Sequence, residues 1–93
     1  MLSKIPINLK SVKKKNIDRE ILRVGIIAEL DAINLYEQMA SITTNKNIKK
    51  ILLDIAKEEK THMGEFQTLL LREDKELRRE LGEGEKEVNE LTE

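Results

Sequence analysis

The feature that most limits how this chain can fold is a pair of long apolar rows with helical spacing, separated by one cluster of turn-forming residues. Side chains three, four and seven apart share one face of a helix, whereas a strand would alternate at every second residue. The first row is Leu22, Gly25, Ile26, Glu29, Ala32, Ile33, Tyr36 and Ala40. The second is Ile48, Leu52, Ile55, Ala56, Glu59, His62, Met63, Phe66, Leu69 and Leu70. Between them, Thr43-Thr44-Asn45-Lys46-Asn47 offers short polar side chains that compete for backbone bonds and favour turns and caps. The spacing therefore predicts a helix from Ile17 to about Thr43, a short turn, and an antiparallel return over roughly Asn47 to Arg72. Asn16 is the expected N-cap of the first helix, ahead of Asp18 and Glu20, whose charge suits the positive end of the helix dipole. Asp74 is expected to cap a short third helix, Lys75 to Leu81, which Gly82-Glu83-Gly84 should break before an acidic end segment. The fold class is all-α: an antiparallel two-helix hairpin plus a short C-terminal helix.

A chain of 93 residues buries too little apolar surface to be comfortable alone. Ile27, Leu30, Ile51 and Leu53 lie off both rows, so a hairpin leaves them uncovered and a second chain is expected to cover them. Residues 1–16 carry five Lys and no acid, residues 17–72 nine acids and eight bases, and residues 73–93 nine acids and four bases. Three segments result: a basic arm over 1–16, extended around Pro6, a helical hairpin domain over 17–81, and an acidic C-terminal segment or linker over 82–93. Lys13-Lys14-Lys15 has no interleaved aromatic and reads as a solvated tail, so no nucleic-acid partner is expected. No run is apolar enough for a membrane span or a signal peptide, which makes a cytoplasmic protein with no membrane partner the expectation.

The absence of cysteine excludes disulfides, thiol catalysis and sulfur-held zinc or iron within the chain. Any metal must be held by Glu, Asp or the single His62. Burying an isolated carboxylate costs several kcal/mol unless it is paired or bound to a cation, and here Glu29, Glu59 and His62 interrupt two facing apolar rows. Glu59-Lys60-Thr61-His62 is a Glu-x-x-His pair whose spacing aims a carboxylate and an imidazole the same way. With fourteen Glu in the chain that pair alone is weak, but Glu29 falls at a matching mid-helix level on the preceding helix. Two Glu and one His are half of the four-Glu, two-His set of di-iron carboxylate bundles, and a two-fold dimer would supply the whole. Hard carboxylates suit iron or manganese, and zinc also fits the donor set.

The stretch Ala28-Glu29-Leu30-Asp31-Ala32-Ile33-Asn34-Leu35-Tyr36-Glu37-Gln38, with Glu59-x-x-His62 thirty residues after Glu29, resembles the ferritin-like superfamily. It is most similar to the short encapsulated ferritins, including the ferritin-like domain of some archaeal encapsulins, over about Ile17 to Leu71 and more weakly over Glu85 to Thr92. The resemblance implies a half-ferritin that pairs into a four-helix bundle and assembles into a decamer of five dimers. It implies Glu29, Glu59 and His62 as catalytic iron ligands, one iron per chain in a di-iron centre at the dimer interface, with Tyr36 beside them. It also implies that Asp31 receives incoming iron, although Ala28 stands where some relatives carry an acid and Leu35 where some carry an aromatic. The activity implied is a ferroxidase oxidising Fe(II) to Fe(III) for iron storage or detoxification, in the cytoplasm within an encapsulin compartment whose shell protein is the partner.

Two other readings of the same residues stand beside it. One is a rubrerythrin-like peroxidase, which this chain would have to run without a cysteine-held centre of its own. The other is a non-catalytic metal-binding or structural helical oligomer, in which the three polar groups form a network that sets register. Met63, Phe66, Leu69 and Leu70 read as core, Glu58 and Lys60 as surface charges, and Glu65, one turn beyond His62, as a surface or interface residue with an auxiliary metal carboxylate as the alternative.

Overall fold

The computed structural model describes residues 16–93; the basic arm before them, with its lysine run, lies outside the described residues. Three helices follow in order: α1 (Ile17–Ile42), α2 (Lys46–Glu73) and α3 (Lys75–Leu91). The expected cap at Asn16 is absent. Its backbone is already helical (φ −107°, ψ −3°) and its side chain makes no capping bond, whereas a capping side chain works from an extended backbone. The first turn instead holds Asp18 and Glu20, and Glu20 pairs with Arg23 at 2.7 Å.

The turn between the long helices is Thr43-Thr44-Asn45. Asn45 is extended (φ −82°, ψ 115°), and its Oδ1 accepts hydrogen bonds from the backbone N–H groups of Asn47 (2.9 Å) and Ile48 (3.0 Å). It is the effective cap, so α2 starts at Lys46, one residue before the expected Asn47. Asp74 both ends α2, through its N–H donating to the Leu70 carbonyl at 2.8 Å, and caps α3, through Oδ1 accepting from the Leu77 N–H at 2.9 Å.

A second expectation also needs correcting: Gly82 and Gly84 do not break α3, which continues to Leu91. Neither glycine takes a positive φ, and a helical glycine costs only about 1 kcal/mol against alanine, which the strong helix formers around them offset. The apolar stripe Leu77, Leu81, Val88 and Leu91 carries through at helical spacing.

Contacts across the hairpin pair rising numbers on α1 with falling numbers on α2. Arg23 approaches Asp74, Glu29 approaches His62, and Glu37 accepts from Lys60 at 2.9 Å, as an antiparallel pair requires. Only Ile33, Ala40, Ala56 and Leu70 form a buried apolar core among the described residues. Ile27, Leu30, Ile51 and Leu53 are 41–60% exposed, in keeping with the expectation that a hairpin cannot cover them. The radius of gyration is 16.5 Å, where a compact domain of this length would have about 12 Å, because α3 lies away from α1 and meets the hairpin only near its own start. Every residue of α3 beyond Leu77 is exposed.

Candidate metal centre

Glu29 sits midway along α1, held there by the apolar neighbours Ile26 and Ile33 on the same face. Glu59 and His62 leave α2 one turn apart, on the face that Ala56 and Leu70 anchor into the core. The antiparallel return brings all three to one level. Their ligand atoms lie within 4.8 Å of one another, with His62 Nδ1 3.5 Å from Glu59 Oε2 and 3.9 Å from Glu29 Oε2. These separations are too long for good hydrogen bonds. Donors sharing one ion at bond lengths near 2.1 Å stand about 3–3.5 Å apart, so small side-chain rotations would close the set around a cation.

Electrostatics point the same way. Two carboxylate charges no more than 4.8 Å apart repel by about 3.5 kcal/mol or more at an effective dielectric of 20. Neither Glu29 nor Glu59 has a Lys or Arg within ion-pair distance among the described residues. Glu29 Oε2 is buried and has no hydrogen-bond partner among the described residues. A buried acceptor in that state is costly, and a cation is the simplest group to satisfy it together with its neighbours. The donor set fits a hard or borderline divalent metal of the iron or manganese kind.

The site is open on one side. Glu29 and Glu59 are 18% and 20% exposed, but His62 is 49% exposed. An open cavity of about 430 Å³ lies beside the donors, lined by Glu29, His62, Glu65, Phe66 and Leu69. Leu69, expected in the core, and Glu65, expected at the surface or an interface with an auxiliary metal role as the alternative, both border the site. Nothing in the helical spacing separates the wall of an open pocket from a core face. The three convergent donors do not include Tyr36 or Asp31. Tyr36 is half-buried on α1, two turns beyond Glu29, and Asp31 is half-buried on the same helix.

The model of the family described as Rubrerythrin matches residues 20–92, which is most of the chain. The chain belongs to the rubrerythrin family of ferritin-like proteins. This member is 63% identical over 73 residues to a ferritin-like-encapsulin shell fusion protein of Pyrococcus furiosus, an alignment covering 78% of this chain and 21% of the fusion. It is 41% identical over 68 residues to an encapsulin nanocompartment cargo protein of Myxococcus xanthus, covering 70% of this chain and 52% of that protein. The match thus spans about a fifth of the length of the one and half of the other. Its fold superposes on the crystal structure of the encapsulated ferritin domain from Pyrococcus furiosus with a TM-score of 0.85 and 55% identity, covering 99% of this chain and 96% of that domain. The likeness to encapsulated ferritins read from residues 28–38 and 59–62 is borne out, and so is the all-α class.

Proposed function

We propose that this rubrerythrin-family chain is an encapsulin-associated ferroxidase, with Fe(II) as substrate and Glu29, Glu59 and His62 as its ligands. The observation that carries the reading is the convergence of two cation-free carboxylates and an imidazole around the orphaned Oε2 of Glu29. Each chain offers one such half-set, and the half-exposed His62 together with the uncovered apolar side chains supports completion by a second copy. Five such dimers would form the decamer implied by the family.

The carboxylates hold Fe(II) and, by their negative charge, favour the ferric product. Two ions held side by side give up one electron each, so dioxygen takes two electrons and two protons, leaving as hydrogen peroxide with two Fe(III) formed. His62 supplies a ring nitrogen as the third donor. The likeness to encapsulated ferritins supports Tyr36, two turns from Glu29 on α1, as a neighbour of the centre and Asp31 as an acid for incoming iron. The relatives' names support an encapsulin shell as the partner and as the compartment for the Fe(III) product, and no helix among the described residues is long and apolar enough to cross a membrane.

An anaerobic Fe(II) titration tests the binding step: one iron per chain is expected, lost in His62→Ala. Stopped-flow oxidation by dioxygen tests the activity, and Glu59→Ala or His62→Ala oxidising Fe(II) as fast as the parent would sink it. The family match gives a peroxidase reading some support as well; under that reading hydrogen peroxide outpaces dioxygen as oxidant at the same site.

A further inference from the structure

We propose that Gly25 is a positioning residue for the Glu29, Glu59 and His62 set and acts through the ring of Phe66. The proposal rests on the metal-binding reading above. Gly25 lies one turn before Glu29 on α1, and Phe66 one turn after His62 on α2, so in the antiparallel hairpin they form the layer next to the donors.

A Cβ built on Gly25 would stand 3.1 Å from two carbons of the Phe66 ring and 3.2 Å from a third. That is well inside the roughly 3.5–4.0 Å at which carbon atoms pack best. The ring therefore rests directly on the backbone of α1, and the missing side chain is what admits it. Backbone conformation is not the reason for a glycine here, because Gly25 is helical and has no positive φ. Mid-helix a glycine is less favourable than alanine, and the close approach is what it gains. The other described glycines, Gly64, Gly82 and Gly84, have nothing within 4 Å of a built Cβ.

The same ring is a wall of the open cavity that holds Glu29 and His62. A side chain at position 25 leaves the ring two escapes. Either α1 and α2 part, drawing Glu29 away from Glu59 and His62, or the ring swings into the cavity beside the donors. Either one hinders the side-chain rotations that must draw the donors in from 3.5–3.9 Å to the roughly 3–3.5 Å that one ion spans.

The test is an anaerobic Co(II) titration of the full chain at fixed concentration, read by affinity and by visible absorption, which reports coordination geometry. Parent, Gly25→Ala, Phe66→Leu, the double variant and His62→Ala are compared, with helix content followed by circular dichroism. Gly25→Ala is expected to keep its helices, lose about tenfold in Co(II) affinity and shift the absorption bands, on the scale seen when groups that orient metal ligands are altered. In the Phe66→Leu background the same substitution is expected to cost less than about threefold, because the ring that transmits it is gone. If Gly25→Ala alone fails to fold, a double variant that regains both helix and affinity supports the proposal, and one that regains helix but stays tenfold weaker overturns it. Affinity and spectrum unchanged in Gly25→Ala, or an equal loss with and without the ring, also overturns it while leaving the metal reading intact. A parent that binds Co(II) no better than His62→Ala overturns the metal reading and the positioning role together.

Discussion

Glu29 on α1 and His62 on α2 stand 3.9 Å apart across the hairpin, and Glu59 lies 3.5 Å from the same Nδ1 along α2. Two helices of one chain thus bring a complete half-set of metal donors to one level without any other element. Glu29 is the least comfortable of the three, because among the described residues its buried Oε2 has neither a Lys or Arg nor a hydrogen-bond partner.

Replacing it should therefore separate stability from function. Glu29→Leu is expected to stabilise the metal-free protein by about 1 kcal/mol, roughly 4–8 °C in midpoint for a domain of this size, while abolishing Fe(II) binding. Thermal unfolding with and without a chelator, at fixed chain concentration, checks both halves. A lower midpoint without metal would mean that the carboxylate has a partner in solution.

Asn45 and Asn16 look alike in sequence and should behave differently. Asn45→Ala removes the acceptor for the Asn47 and Ile48 N–H groups and is expected to lower stability by about 1 kcal/mol. Asn16→Ala removes no capping bond and should change it by less than about 0.5 kcal/mol. Denaturant titrations of the two variants beside the parent decide this.

The glycines should also split by position. Gly82→Ala meets open space in a helix and is expected to stabilise by about 0.8–1 kcal/mol, with a rise in far-ultraviolet helix signal. Gly25→Ala meets the Phe66 ring at 3.1 Å and should not share that gain. Finding the same gain at both sites would show that the ring moves aside freely.

Stability should depend on how much protein is present. Ile27, Leu30, Ile51 and Leu53 are 41–60% exposed on a single chain, so association that covers them binds the folded state alone. Stability is expected to rise with chain concentration, by about 1.4 kcal/mol of dimer for each tenfold increase above the dissociation constant, and the thermal midpoint to rise with it. A midpoint flat across a hundredfold range would argue for a stable single chain.

How much of this was legible beforehand follows from which forces act locally. Glu29, Glu59 and His62 could be picked out because a helix repeats every 3.6 residues, so a polar interruption of an apolar row is visible in the chain itself. Gly82 and Gly84 predict a break in α3, but the Leu77, Leu81, Val88 and Leu91 stripe runs through them and the helix continues to Leu91. The missing cap at Asn16 turns on a backbone angle, which residue type does not determine. The contact between Gly25 and Phe66 depends on the register of one helix against the other, a tertiary property that no single-helix pattern contains.

The Asn45-capped turn has a consequence for tempo. Because three residues tether α1 to α2, an ion held by Glu59 and His62 under the proposed function would meet Glu29 through side-chain motion within one chain and would wait for no encounter between molecules. Loading of a half-set is therefore first order in protein once the ion has arrived. Any step that needs a second chain is second order, so dilution slows the one and leaves the other untouched.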